Sequence, residues 1–134
     1  MTGLVQDPQT GEWFYDDLYL LSETDAKGVI TYASESFCRI ANYKPEELIG
    51  QPHNIVRHPD MPKMAFKSLW DSVKTKGFWT GFVKNARRGG GYYWVFATVL
   101  RQIDKNGNVS YVSIRTKPSR EDVAKAEALY ATWK

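Results

Sequence analysis

Three long strand-like runs restrict what this chain can fold into more than any other feature: Trp79 to Arg88, Tyr92 to Ile103 and Val109 to Lys117. Each is rich in aromatic and β-branched residues, and only turn formers separate them, Gly89-Gly90-Gly91 and then Asp104-Lys105-Asn106-Gly107. Asn106-Gly107 is a strong hairpin signal. Hairpins join neighbouring strands, so the three runs predict an antiparallel unit. Upstream, the short apolar runs Leu18 to Ser22 and Val29 to Ala33 flank Asp25-Ala26-Lys27-Gly28 and predict a first hairpin.

Helical patterns lie between the two groups of strands. Ser34 can cap a short helix whose Phe37, Ile40 and Ala41 share one face, and Pro45-Glu46-Glu47-Leu48 opens another turn before Gly50. Phe66, Leu69, Trp70 and Val73 recur at helical spacing, predicting a longer helix capped at Asp60 and ending before Gly77. After Lys117, Pro118 stops the last strand, and Ser119 starts a C-terminal helix bearing Val123, Ala126, Leu129 and Tyr130. Two strands, helices, then three strands predict an α+β class: a five-stranded antiparallel sheet with short helices and one longer helix over one face. Residues 1–17 hold Trp13, Phe14 and Tyr15 and read as an N-terminal cap on the domain or on a second copy. Residues 18–118 form the body, and 119–134 a C-terminal helix or connector to an output region.

At 134 residues, with 43% hydrophobic and 25% charged content, the chain has the size of one domain. Its 18 basic and 15 acidic residues are interspersed, so no nucleic-acid stripe or anionic-membrane patch stands out. Lys84 to Arg88 is read as a solvated hairpin end. The single cysteine, Cys38, excludes an internal disulfide and a cysteine-based metal cluster, and suits a reducing, cytoplasmic setting. No apolar run approaches the roughly 20 residues needed to span a bilayer. Catalytic and metal motifs are lacking, with no nucleophile elbow, no phosphate-cradling loop and no paired histidine site, so an enzyme is not expected.

Strand alternation places Trp79, Gly81, Val83 and Asn85 on one face of the first long strand, and Tyr93, Val95, Ala97 and Val99 on one face of the next. With Gly81, Ala97 and Ser113 turned toward the helices, the domain would lose about 24 cal/mol for each Å³ of empty void. An organic ligand filling that space is therefore expected, Trp79 meeting a planar ring and Asn85 bonding its polar rim. The plainer alternative makes Trp79 core and Asn85 a strand-end residue. On the other face Trp94, Phe96 and Leu100 need cover, from the N-terminal aromatics or a second protomer.

The densest polar segment is His53-Asn54-Ile55-Val56-Arg57-His58-Pro59-Asp60-Met61-Pro62, which holds both histidines. It resembles the PAS-domain signature of bacterial aerotaxis receptors. Ser34-Glu35-Ser36-Phe37, Trp79-Thr80-Gly81-Phe82-Val83-Lys84-Asn85 and Tyr111-Val112-Ser113-Ile114-Arg115-Thr116 extend the likeness, which runs from about Leu20 to Trp133. The resemblance implies a PAS fold, noncovalent FAD, and a non-enzymatic redox or oxygen sensor in aerotaxis signal transduction. By the same carry-over, His53, Asn54, Arg57, His58, Asp60, Trp79, Gly81 and Asn85 fall in the cofactor signature, Arg57, His58 and Asp60 holding or reading the flavin. Ser113 and Arg115, on one face of the last strand, are candidates for its polar edge. A homodimer and a downstream chemotaxis signalling region are the implied partners.

Two departures accompany the likeness. Aerotaxis receptors continue into a membrane anchor and a signalling region, whereas this sequence stops at Lys134, as an excised sensor module or a stand-alone protein. Flavin-binding blue-light sensors carry a reactive cysteine near the place of His53, while Cys38 belongs to a different helix, so adduct photochemistry is not expected. Two alternatives to FAD remain open: haem held by His53 or His58, and a cofactor-free interaction module. A structural turn is likewise the alternative role for residues 57 to 60.

Overall fold

The computed structural model describes residues 3–16 and 18–133; Met1, Thr2, Asp17 and Lys134, and with them the expected boundary at position 17, lie outside the described residues. Two short strands, β1 (Leu4–Gln6) and β2 (Trp13–Tyr15), pair as an antiparallel hairpin. They are followed by β3 (Leu20–Asp25), β4 (Ile30–Ala33), α1 (Glu35–Ala41), α2 (Pro45–Leu48) and a 3₁₀ turn over His53–Val56. The chain ends in α3 (Lys63–Thr75), β5 (Phe78–Ala86), β6 (Tyr92–Ile103), β7 (Val109–Thr116) and α4 (Arg120–Ala131).

Strands β3 to β7 form one five-stranded sheet in the order β4-β3-β7-β6-β5, all neighbours antiparallel. This is the expected α+β class. The interior position of β3, between β4 and β7, explains why that strand runs on through Glu23 to Asp25, where apolar patterning alone ends it at Ser22. Both edges of β3 are paired, and its polar Ser22 and Thr24 are buried on the inner face.

Local chemistry sets the element ends. Ser34 Oγ accepts the Phe37 amide at 3.3 Å and so caps α1, and Ser119 Oγ accepts the Asp122 amide at 3.1 Å at the start of α4. Asp60 does not cap the long helix as expected. The N-cap is Pro62, without a side-chain bond, because the Asp60 carboxylate points to Lys84 Nζ, 2.8 Å away on β5. The turn from β5 to β6 uses three successive glycines, Gly89 to Gly91, all with positive φ.

The ends of the chain close over the sheet. Glu12 Oε2 accepts the Trp94 amide at 3.1 Å, and the Arg87 guanidinium lies 3.9 Å from the Trp13 ring, so the N-terminal hairpin packs on the β5–β6 end of this same domain. Lys84 to Arg88 is therefore not a plain solvated end: Lys84 pairs with Asp60, Arg87 covers Trp13 and Arg88 pairs with Glu47. Helix α4 lies against the outer face, Tyr130 stacking on Trp94 and donating its hydroxyl to the Phe82 carbonyl at 2.5 Å. Trp94 is thus buried by the C-terminal helix together with the N-terminal hairpin, a role sequence reading did not give to that helix. Farther along the same face Phe78, Leu100 and Ile114 stay exposed.

Candidate functional site

The inner sheet face and the helices enclose a cavity of about 250 Å³. Its floor is Ala97, Val99 and Ser113, its roof Phe66, Leu69 and Trp70 from α3, and the exposed side chains Lys27, Asn54 and Arg57 stand at its mouth. The register explains the hollow. Gly81, Ala97, Arg115 and Leu20 lie in one row across the sheet, and Trp79, Val99, Ser113 and Ser22 in the next, so small side chains fall at the centre.

Arg115 anchors the deep end. It is 2% exposed, places Nη1 2.9 Å from His53 Nε2 and Nη2 2.9 Å from Ser22 Oγ, and lies 4.2 Å over the Phe37 ring. Guanidinium can only donate, so His53 Nε2 must accept and the ring proton belongs on Nδ1. His53 is fixed from two sides, stacking on Phe37 at 5.6 Å and donating its amide to the Gly28 carbonyl at 3.0 Å. Burial, reinforced by the Arg115 charge, lowers its pKa from 6.5 to about 3, so the imidazole is neutral near pH 7. Burial also lowers Arg115 to about 10, which leaves it charged.

No carboxylate offsets that charge: none lines the cavity, and Arg115 joins no ion pair among the described residues. Its Nε is buried without a partner, as is Thr24 Oγ1 on the same wall. A buried donor left open costs about 1–3 kcal/mol, so a cavity lined by such groups suits a ligand with acceptors at one edge.

A family model described as the PAS fold matches residues 30–124. The chain belongs to the PAS family. This PAS domain is 44% identical over 115 residues to the aerotaxis receptor of Escherichia coli (strain K12), a match covering 86% of this chain and 23% of that receptor. It is 28% identical over 91 residues to the nitrogen fixation regulatory protein of Klebsiella pneumoniae, covering 68% of this chain and 18% of that protein. It thus spans less than a quarter of either curated relative. In fold it is similar to the light-state structure of the blue-light photoreceptor Aureochrome1 LOV, with TM-score 0.69 at 24% identity over 84% of this chain and 88% of that one.

Within the PAS domain, His53, Asn54, Arg57, Asn85, Ser113 and Arg115 line the cavity. The other four expected positions do not. His58 and Asp60 lie beyond the β5 edge, the Asp60 amide donating to His58 Nδ1 at 3.0 Å. Trp79 turns its indole over Gly81 and donates Nε1 to Ser68 Oγ at 3.3 Å, so the indole fills the space over Gly81 at the border of the cavity, beside the lining residues Val83, Ala97 and Val99. The Arg57 guanidinium lies 3.8 Å over Phe66.

Residues 57 to 61 fasten that edge. Arg57 makes an isolated antiparallel bridge with Asn85, and Met61 Sδ accepts the Lys84 amide at 3.3 Å. Sequence reading missed Ser22 and Thr24, although alternation through the longer β3 would have turned both inward. Lys27 at the mouth has the local sequence of a turn residue, and nothing there distinguishes it.

Proposed function

We propose that this PAS domain binds a flavin, FAD, noncovalently in the cavity and serves as a non-enzymatic redox sensor in an aerotaxis-type signalling pathway. The observation carrying the proposal is a cavity with an uncompensated arginine at its deep end, apolar walls, and Lys27 and Arg57 at its mouth. A planar ring with a polar edge and an anionic tail complements that arrangement. The likeness to the aerotaxis receptor supports both the ligand and the pathway. At about 250 Å³ the cavity is somewhat below the roughly 300–1,000 Å³ of ligand pockets, so it suits the ring, with the phosphate-bearing tail leaving past Lys27 and Asn54.

Flavin supplies a ring that accepts electrons. Arg115 holds a fixed positive charge beside that ring, and neutral His53 presents Arg115 in one orientation. Asn85, 4% exposed, carries a change at the cavity wall to Arg57 and the segment fastening β5. A tenfold population shift needs only about 1.4 kcal/mol, within reach of one charged hydrogen bond gained or lost. Cys38 lies on α1 with Sγ 4.0 Å from the Ala33 carbonyl and does not line the cavity, which supports redox sensing over a cysteinyl light adduct. Haem fits less well: His53 Nε2 is engaged by Arg115, and His58 does not line the cavity.

In this reading residues 1–17 act as a cap, 18–118 as the sensor domain and 119–134 as the connector to an output region, facing the cytoplasm. The exposed Phe78, Leu100 and Ile114 support a homodimer through the outer face. The visible spectrum of the purified protein, with chromatography of pigment released by heat, tests the proposal. An oxidised-flavin spectrum with FAD in the supernatant is expected; a Soret band or a colourless, stable protein would overturn it.

A further inference from the structure

Gly81 has no backbone reason to be glycine: it lies within β5 and is not among the residues with positive φ. Its reason is steric. A Cβ added there would fall 2.4 Å from both Cζ2 and Cη2 of Trp79 and 3.2 Å from Cε2, so the indole rests in the volume a side chain would fill. The hydroxyl of Ser68 on α3 holds Nε1 from the other side, and Trp79 packs against both hydrophobic clusters of the domain. The indole therefore bridges β5 and α3 at the sheet edge.

The register gives this seat a meaning for the ligand. Gly81 pairs with Ala97 and Ala97 with Arg115, so the indole over Gly81 and the guanidinium stand two strands apart in one row, with the Ala97 floor between. The cavity reaches Ala97, Val99 and Val83 and stops before Gly81. Arg115 makes its own end polar; the Trp79 end is apolar.

The geometry points to Trp79, seated on Gly81, as the element that limits ring size in this cavity, excluding ligands enlarged at the apolar edge opposite Arg115. Gly81 is its positioning residue. This rests on the flavin reading above. Because the indole needs the empty volume at Gly81, Gly81→Ala acts only through Trp79, whereas Trp79→Ala extends the cavity over Gly81.

The test compares binding of FAD and of an FAD analogue carrying a bulky alkylamino group on the benzenoid ring, in the wild type, Trp79→Ala, Trp79→Phe and Gly81→Ala, with circular dichroism confirming each fold. The wild type is expected to prefer FAD by about tenfold or more, the scale a pocket achieves against added bulk. Trp79→Ala should bring the ratio to within about twofold and Trp79→Phe to an intermediate value; using a ratio cancels any uniform loss of affinity. Gly81→Ala should weaken FAD binding with Trp79 present and have no effect in the Trp79→Ala background, the non-additivity of two groups sharing one space. An unchanged ratio in Trp79→Ala, or an equal Gly81→Ala effect in both backgrounds, overturns the inference. A wild type that binds neither ligand would instead remove the flavin reading; the seat is then judged by the near-ultraviolet signal of Trp79, which Gly81→Ala must alter for it to stand.

Discussion

Arg115 donates through Nη1 to Nε2 of His53 at 2.9 Å, a contact that exists only while the imidazole is neutral at that nitrogen. Burial and the neighbouring charge hold the folded pKa near 3, against 6.5 for the unfolded chain. As pH falls through 6.5 the unfolded state takes up a proton that the folded state refuses, so stability is lost progressively down to about pH 3 and is fully present above 6.5. The slope from this group is at most about 1.4 kcal/mol per pH unit. Urea unfolding at a series of pH values between about 7 and 5, above most carboxylate titration, should show it, and His53→Gln should flatten the profile. Superimposable profiles would mean that His53 titrates freely.

Replacing Arg115 separates its structural from its electrostatic role. Arg115→Met keeps the stem and removes a buried charge that no carboxylate offsets; Ser22 Oγ, 3.0 Å from His53 Nε2, can take up the freed imidazole nitrogen, so the ligand-free protein should keep its stability or gain. With flavin bound, this variant should be harder to reduce than the wild type, because a fixed positive charge beside the ring favours added electrons. Losing about 1.4 kcal/mol of that preference lowers a two-electron midpoint potential by about 30 mV, within reach of spectroelectrochemistry. A potential unchanged from wild type would exclude Arg115 as a tuning group.

Two contacts of the segment fastening β5, those of Met61 and Asp60 with Lys84, differ in strength. Met61 is buried at 6% exposure and receives the Lys84 amide on its sulfur, so Met61→Ala should destabilise by about 2–5 kcal/mol. Asp60 is 58% exposed, and the loss of its ion pair with Lys84 in Asp60→Asn should stay within about 1 kcal/mol and shrink further in salt. Chemical denaturation of both variants checks the order; a larger effect from Asp60 would mean the ion pair, rather than the sulfur contact, fastens the edge.

Tyr130 is the contact by which α4 covers Trp94. Tyr130→Ala removes a buried ring and the bond to the Phe82 carbonyl, and should cost about 3–5 kcal/mol. Tryptophan emission should shift to the red in the folded variant as Trp94 meets water. Unshifted emission would show that the N-terminal hairpin alone shields it.

Hairpin chemistry made the fold legible: β6 runs over the expected residues, and Ser34 and Ser119 cap where their side chains suggested. Alternation correctly turned Asn85, Ala97, Ser113 and Arg115 inward. What local pattern does not carry is competition for one group by distant partners. Asp60 looks like a helix cap until Lys84, 24 positions away, takes its carboxylate. Gly81 and Trp79 look like two separate ligand contacts, because alternation places both on the same face and says nothing of a ring folding over its neighbour. Tyr130 shows the helical periodicity of a packed face but not which surface it meets.

Strand β5 is an outer strand of the sheet, and its outward amide at Lys84 is spent on a thioether from the segment bearing Arg57. A strand border left bare invites pairing with another chain. The segment that touches the cavity thus also works as a guard against fibrous or amorphous association, so, with flavin as the proposed occupant, protein stripped of it should precipitate on storage sooner than loaded protein, and colloidal behaviour becomes an outward sign of cavity occupancy.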